Sequence, residues 1–450
     1  MIELQDDEVD ASPTKEFFIK SITKDIHLID VVPDLIGNCL DGARRIGKVD
    51  DLSGLKIFVD VYSDHFKIKD NCGGIELDNA KNYAFKFGRK EDDQKHTVKG
   101  SIGEFGIGMK RAIFRMGNNA IVESKTSSDH FVVTIDVEDW KRKEDWVFNF
   151  KSIQDAESPN NLSEEGTVVQ VTNLHRDVSA SFNDYFISEL SDKIETKFSG
   201  PLNKGLEIVL NGIPISSQPI KLAFSGQIKP VKYEMTIGEK DKEVIVKMYL
   251  GITERDPHAA GFYIFCNGQL VLGADKSDTT GWDDKEKSLS QYHNDFAYFR
   301  GYIFFTSDFP SLFPWDTTKT RINNDSGVYK AVKLEMVKKA KPILDFLRKL
   351  ASEKAKDEEG NKPTETPLND LVSSAIQTSK QISTLAITST IFQEPSIPKP
   401  KKSEPKKTGI QYKILDEKYQ KVKKKLKAKT KKEVGIRTFD YYYDNEIEGE

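Results

Sequence analysis

The stretch "GSIGEFGIGMKRAIFRMG", residues 100–117, places four glycines in its first nine positions and then continues as a helix-like run. A glycine-rich turn leading into a helix offers unpaired backbone N–H groups and the positive end of the helix dipole, which together suit an anion. Two common phosphate motifs do not match. A Walker loop needs a glycine followed by Lys and then Ser or Thr, whereas Gly108 is followed by Met109, Lys110 and Arg111. The dinucleotide fingerprint needs a third glycine where Arg111 stands, and residues 88–101 are charged and glycine-bearing, unlike a buried parallel strand. What is left, Gly103-x-x-Gly106-x-Gly108, reads by itself either as a helix cap or as a nucleotide loop.

The composition sets outer bounds. With 450 residues, 37% of them hydrophobic, the chain has enough apolar material for two or three domains. The acidic start "MIELQDDEVD" has no apolar core and no apolar run approaches the roughly 20 residues that span a bilayer, so the reading is an intracellular protein, cytoplasmic or nucleoid-associated, with no membrane partner. Cys39, Cys72 and Cys266 lie far apart and the seven histidines are scattered, which suggests neither a disulfide framework nor a zinc site. Charge is uneven: residues 399–432 hold fifteen lysines against three carboxylates, a local net of +12 in a chain of net charge −4, and such a segment suits a polyanion.

Hydrophobic spacing predicts a helix over 31–47 that opens after Pro33, a β-hairpin from "LKIFVDVY" and "HFKIKDN" ending at Asp70, and a second helix over 77–87. Strands are expected at "NAIVESK", "FVVTIDVE", "WVFNF" and "GTVVQVTNL", then a helix over "FNDYFISELSDKIETKF". This is a two-layer α+β arrangement over 1–199. A second α/β unit over 200–351 is expected to start with "GLEIVLNGIPI" and to close with a long helix beginning at "SGVYKAV". Residues 352–408 read as a flexible charged linker with room for a short helix in 367–392, and 409–450 as a small β-α-α unit.

Asp34, Asn38 and Asp41 fall at i, i+4 and i+7 and share one helix face. A carboxylate just after Pro33 suits a helix N-terminus, whereas Asn38 is a weak helix former with no such reason to be there. In this order "DLIGNCLDG", "DNCGGI", "GEFGIGMK" and "GTVVQV" strongly resemble the GHKL ATPase superfamily of gyrase, the ninety-kilodalton heat-shock chaperone, histidine kinases and MutL. "GIGMKRAIFRMGNNAIVESKT" and "FRGYIFFTS" are similar to the microrchidia (MORC) branch and related prokaryotic proteins, and the resemblance runs from residue 30 to about 335.

The resemblance implies a Bergerat-type ATP-binding sandwich, a transducer-like domain, ATP and Mg²⁺ as ligands, and homodimerisation on ATP binding. It implies that Asp70 accepts from the adenine amine, a charge-assisted bond of about 1.5–3 kcal/mol, with Thr167 supporting it and Gly74 admitting the base. Asn38 would give its carbonyl to Mg²⁺, with Asp41 beside it. Gly103, Gly106 and Gly108 would wrap the phosphates with Lys110 as a nearby cation and residues 88–102 as a lid. Asp34 stands where the family carries a glutamate that orients water, one methylene shorter, which implies a slow ATPase or an ATP-binding scaffold or chaperone-like protein. Lys319 in "PWDTTKTRIN" matches the transducer lysine that reaches the γ-phosphate. The terminal unit resembles a ribbon-helix-helix DNA-binding fold, with Gln411 and Lys413 as groove-facing residues.

Overall fold

The computed structural model describes residues 9, 11–88, 99–103, 106–158, 160, 162–216, 219–240, 242–283, 289–316, 318–358, 368–385, 389–395 and 408–447. Most of the expected lid, 89–98, therefore lies outside the described residues. The chain divides into two compact units, Met1–Ile397 and Pro398–Glu450.

Eight strands of the first unit form one sheet: β1 (Lys56–Val61), β2 (His65–Asp70), β3 (Gly117–Lys125), β4 (Asp129–Asp136), β5 (Asn149–Asp155), β6 (Gly166–Leu174), β7 (Glu207–Leu210) and β8 (Ile213–Pro214). Their order is β5-β4-β3-β6-β2-β1-β7-β8, antiparallel except where β7 runs parallel to β1. The strands β7 and β8 correct the expected boundary. "GLEIVLNGIPI" belongs to the first sheet, and its Asn211-Gly212, both at positive φ, make the hairpin turn between its two strands. Strand β5 also starts three residues later than the run "WVFNF" suggests.

The helix of the first motif spans Leu28–Arg45, with Pro33 inside it rather than at its start. A proline at the sixth position removes one i→i−4 bond to Ile29 without ending a helix whose buried face, from Asp30 to Ala43, is packed on both sides of that point. Helices Gly108–Met116 and Asp184–Lys197 pack beside it, and all three share one apolar core with the sheet.

Short strand β9 (Lys221–Leu222) precedes a five-stranded sheet of β10 (Val231–Glu239), β11 (Lys242–Ile252), β12 (Gly261–Cys266), β13 (Gln269–Asp275) and β14 (Phe299–Thr306), ordered β10-β11-β14-β12-β13. Helix Gly327–Glu358 packs across it, with Val332, Met336, Ile343 and Leu347 fully buried. The core is continuous from Ile26 to Phe392, so the two sheets meet without an apolar gap.

Much of the expected linker is docked. The long helix continues to Glu358, a helix spans Leu368–Gln377, β15 (Lys380–Gln381) pairs with β9, and Phe392 packs on Phe346 with ring centroids 5.5 Å apart. In the C-terminal unit, residues 408–415 form neither helix nor strand, and helices Asp416–Leu426 and Lys431–Glu446 follow. The expected strand does not form there because a lone segment has no ladder to join.

Because Phe392 is the apolar anchor of 389–395, Phe392→Ala is expected to cost about 3–5 kcal/mol of stability in urea titration. It should also speed chymotryptic cleavage within 368–395 by at least tenfold.

Candidate functional site

The alternation of β2 puts Phe66, Ile68 and Asp70 on its buried face, so the strand ends with a carboxylate pointing inward. Asp70 Oδ1 accepts from the Cys72 amide at 2.8 Å. Burial pushes its pKa up, against the lowering effect of the Cys72 and Thr167 amides, the Cys39 thiol and the Arg45 charge. The chain then turns sharply. Gly74 has φ +71°, and a Cβ there would lie 2.1 Å from the Lys125 carbonyl oxygen, while a Cβ on Gly166 would lie 2.0 Å from that of Asp70. These glycines let three backbone segments close on one another around the carboxylate. Thr167 is half-buried beside it, its hydroxyl 3.5 Å from Ser124 Oγ.

At the other end lies the glycine loop. Asp41 is buried and grips the loop with both oxygens: Ile102 N donates to Oδ1 and Gly103 N to Oδ2, each at 2.7 Å, and Arg44 donates to Oδ1 at 3.0 Å. Gly106 has φ +66° and Gly108 opens the helix that follows. A Cβ on Gly108 would sit 3.9 Å from Asp34 Oδ2 and 4.0 Å from Asn38 Nδ2, so the helix start faces the first-motif helix at van der Waals distance. Lys110 is almost wholly buried and its ammonium donates to the carbonyls of Ala84, at 2.8 Å, and Gly106.

Asp34 does not cap a helix. It sits in the helix interior, 3% exposed, where Oδ2 accepts from the Arg111 guanidinium. Its Oδ1 has no hydrogen-bond partner and lies 3.9 Å from Lys319 Nζ. Lys319 arrives from the hairpin after β14, closed by a Trp315–Ile322 bridge and by Asp316 accepting from the amides of Thr318 and Thr320 at 3.1 Å. Its φ is +56°, a conformation a lysine holds only when its surroundings fix it.

One cavity, about 1100 Å³ of empty space partly open to solvent, is lined by Asn38, Asp41, Asp70, Gly74, Gly103, Gly106, Gly108, Lys110, Thr167 and Lys319. Asp34 stands behind it. Gln411 and Lys413 lie in the other unit, both exposed. Two arginines of the cavity were not singled out from the sequence. Arg45, which donates to Gly74 O at 3.2 Å, ends the first-motif helix, and Arg111 occupies the position that excluded the dinucleotide fingerprint. For Arg111, a cation three residues after Gly108 and next to Lys110 was the available signal.

The donor set suits a magnesium–polyphosphate rather than a metal held by protein alone. Among the described residues no group of three or more His, Cys, Asp or Glu is placed to hold a metal. Half-buried Asn38 beside a glycine loop fits an ion that takes one protein oxygen and completes its shell from phosphate and water.

Residues 26–167 match the family described as "Histidine kinase-, DNA gyrase B-, and HSP90-like ATPase". An uncharacterized protein of Mycoplasma pneumoniae is 25% identical over 216 residues, which cover 47% of this chain and 82% of that protein. The match supports a GHKL-type ATPase domain over residues 26–167, and the mixed sheet-and-helix architecture fits it.

Asp70→Asn is the informative change at the Asp70 end of the cavity. A carboxyl whose folded pKa is raised favours the folded state most at low pH and loses that contribution as pH rises through the raised value. Asparagine copies the protonated form. The nucleotide-free variant is expected to melt higher than the parent at pH 7, with the gap closing as pH falls toward the ordinary carboxylate value of about 4, and to lose ATP binding at both pH values. Differential scanning calorimetry and an ATP titration read the two effects.

Proposed function

We propose that the chain, through this GHKL-type domain, binds Mg-ATP and hydrolyses it slowly as a nucleotide-driven switch, nearest in kind to the MORC-like branch. The observation that carries the reading is the convergence in one cavity of Asp70 at the base-binding end with Gly103, Gly106, Gly108, Lys110 and Lys319 at the other. When bound, ATP supplies the γ-phosphoryl group that water attacks. Asp70 selects the adenine amine, Asn38 gives its carbonyl to Mg²⁺, and Asp34 takes the water proton at Oδ1, the oxygen that Arg111 does not engage. Lys319 donates to the γ-phosphate and so ties the second sheet to nucleotide state. The short side chain of Asp34 sets the rate: misplacement by about 1 Å costs on the order of a hundredfold.

Full-length protein with Mg-ATP tests this. Asp34→Ala is expected to lower turnover by about 100-fold with ATP affinity kept within threefold, and Lys319→Met to lower turnover by on the order of 10²-fold. Binding without turnover in the parent protein would leave a nucleotide-gated scaffold. No binding at all would return the glycine loop to a helix cap.

A second activity rests on the C-terminal unit. Ile410, Tyr412 and Ile414 are exposed within the lysine-rich segment, and Ile436, Phe439 and Tyr443 are exposed along the last helix. Pairing of two such segments, one per chain, would cover the apolar residues and leave a basic ribbon with Gln411 and Lys413 on its surface, giving an ATP-driven dimeric clamp on DNA in the cytoplasm or nucleoid. If half the local charge excess meets phosphates, the salt slope of DNA binding is about −5. Deleting 399–450 is expected to abolish that binding, and unchanged affinity in fluorescence anisotropy would rule this activity out.

A further inference from the structure

The second sheet also touches the glycine loop at the β12–β13 turn, Asn267-Gly268, well away in sequence from Lys319. Asn267 is 9% exposed and holds φ +45°. Its Nδ2 donates to the carbonyls of Ser101, at 3.2 Å, and Ser307, at 3.0 Å, and its Oδ1 accepts from the Ser307 amide at 3.2 Å. Its own carbonyl accepts from Arg44 at 2.9 Å. Arg44 continues to Asp41, and Asp41 to the amides of Ile102 and Gly103. The bonds form a closed ring: Asn267 to Ser101, along the chain to Ile102 and Gly103, back through Asp41 and Arg44 to Asn267.

Two features make the ring more than turn packing. Ser307 directly follows β14, the strand from which the chain runs on to the Lys319 hairpin, so one side chain joins the end of that strand to the first residues of the glycine loop. Beside it Gln269 is fully buried with neither amide atom hydrogen-bonded, its Oε1 3.9 Å from where a Cβ on Gly37 would stand. A buried amide left unpaired is costly, and a seam that carries one is easier to rearrange than a fully satisfied one.

We propose that Asn267 is a positioning residue of the nucleotide site, fixing the start of the glycine loop so that the second sheet registers loop position independently of Lys319. The proposal rests on the reading that the cavity takes ATP. A loop that shifts about a bound triphosphate must either carry the Asn267 turn with it or break a buried hydrogen bond.

Two full-length variants test it. Asn267→Asp keeps size, tolerance of positive φ and the acceptor for Ser307 while removing the donors. Asn267→Gly keeps the left-handed turn with no side chain, and guards against a folding defect caused by the added charge. In nucleotide-free protein, hydrogen–deuterium exchange over residues 100–103 is expected to quicken at least tenfold in both variants, and in Lys319→Met to stay within twofold of the parent. Affinity for Mg-ATP is expected to fall about tenfold in both Asn267 variants. Unchanged exchange over 100–103, or faster exchange with unchanged ATP affinity, overturns the proposal. A parent protein that binds no ATP would sink the function proposed above, while the exchange measurement would still decide whether Asn267 holds the loop.

Discussion

A carboxylate buried where two sheets meet constrains the whole site. An ion taken out of water costs several kcal/mol unless it is paired, and Asp34, at 3% exposure, is paired on one side with Arg111 and faced on the other by Lys319. Those partners come from different places: one from the helix after the glycine loop, the other from the hairpin beyond the second sheet. Satisfying one charge thus pins three elements together. The neighbourhood is short of anions even so. Lys197, also buried, has its pKa pushed down to about 8 by burial and by Lys193 and Lys319, against the pull of Asp34 and Asp30, and Asp30 is already engaged by Lys193 at 2.5 Å. A seam with more cations than carboxylates is electrostatically incomplete in a way that a polyphosphate completes.

The two ends of the cavity are built by different means, and the difference bears on what each can do. At the Asp70 end the geometry is set by backbone contacts: the close approach of Gly74 to Lys125 and of Gly166 to Asp70 leaves no room for a side chain and none for adjustment. At the loop end it is set by side-chain bonds from Asp41, Lys110 and Asn267 to backbone groups, each of which can be exchanged for another partner. A fixed end joined to an exchangeable one is what the proposed switch requires, because recognition must not vary while the loop does.

The sequence made the cavity legible because its residues sit in short motifs with local reasons: glycines at a loop, a carboxylate ending an alternating strand, polar residues on one helix face. It was less legible wherever pairing is non-local. Nothing in "GLEIVLNGIPI" says that its strand runs parallel to β1, although the Asn-Gly pair marks the hairpin turn inside it. Pro33 reads as a helix start, yet packing on both sides of it carries the helix through. In 352–408, Leu368, Val372 and Ala375 repeat at helical spacing, but the polar composition around them hides that the segment is docked, and Phe392 is a buried anchor with no periodic pattern around it. Arg111 escaped because a basic residue beside Lys110 reads as solvated surface, and only the fold shows that it faces a buried carboxylate.

Arg111 also changes how the short carboxylate should be viewed. A glutamate would carry its oxygens one methylene further, whereas one oxygen of Asp34 is held by the Arg111 guanidinium from the helix after the glycine loop. The other oxygen, free of hydrogen bonds and facing Lys319, has a direction fixed by that anchor. Fixing an oxygen's direction recovers part of what reach would supply, since orientation contributes to rate alongside distance. Lys319 competes for the same oxygen until it has a phosphate to engage. On the function proposed above, a bound triphosphate would draw the lysine away from this oxygen, and the activity of the aspartate would be gated by the second sheet.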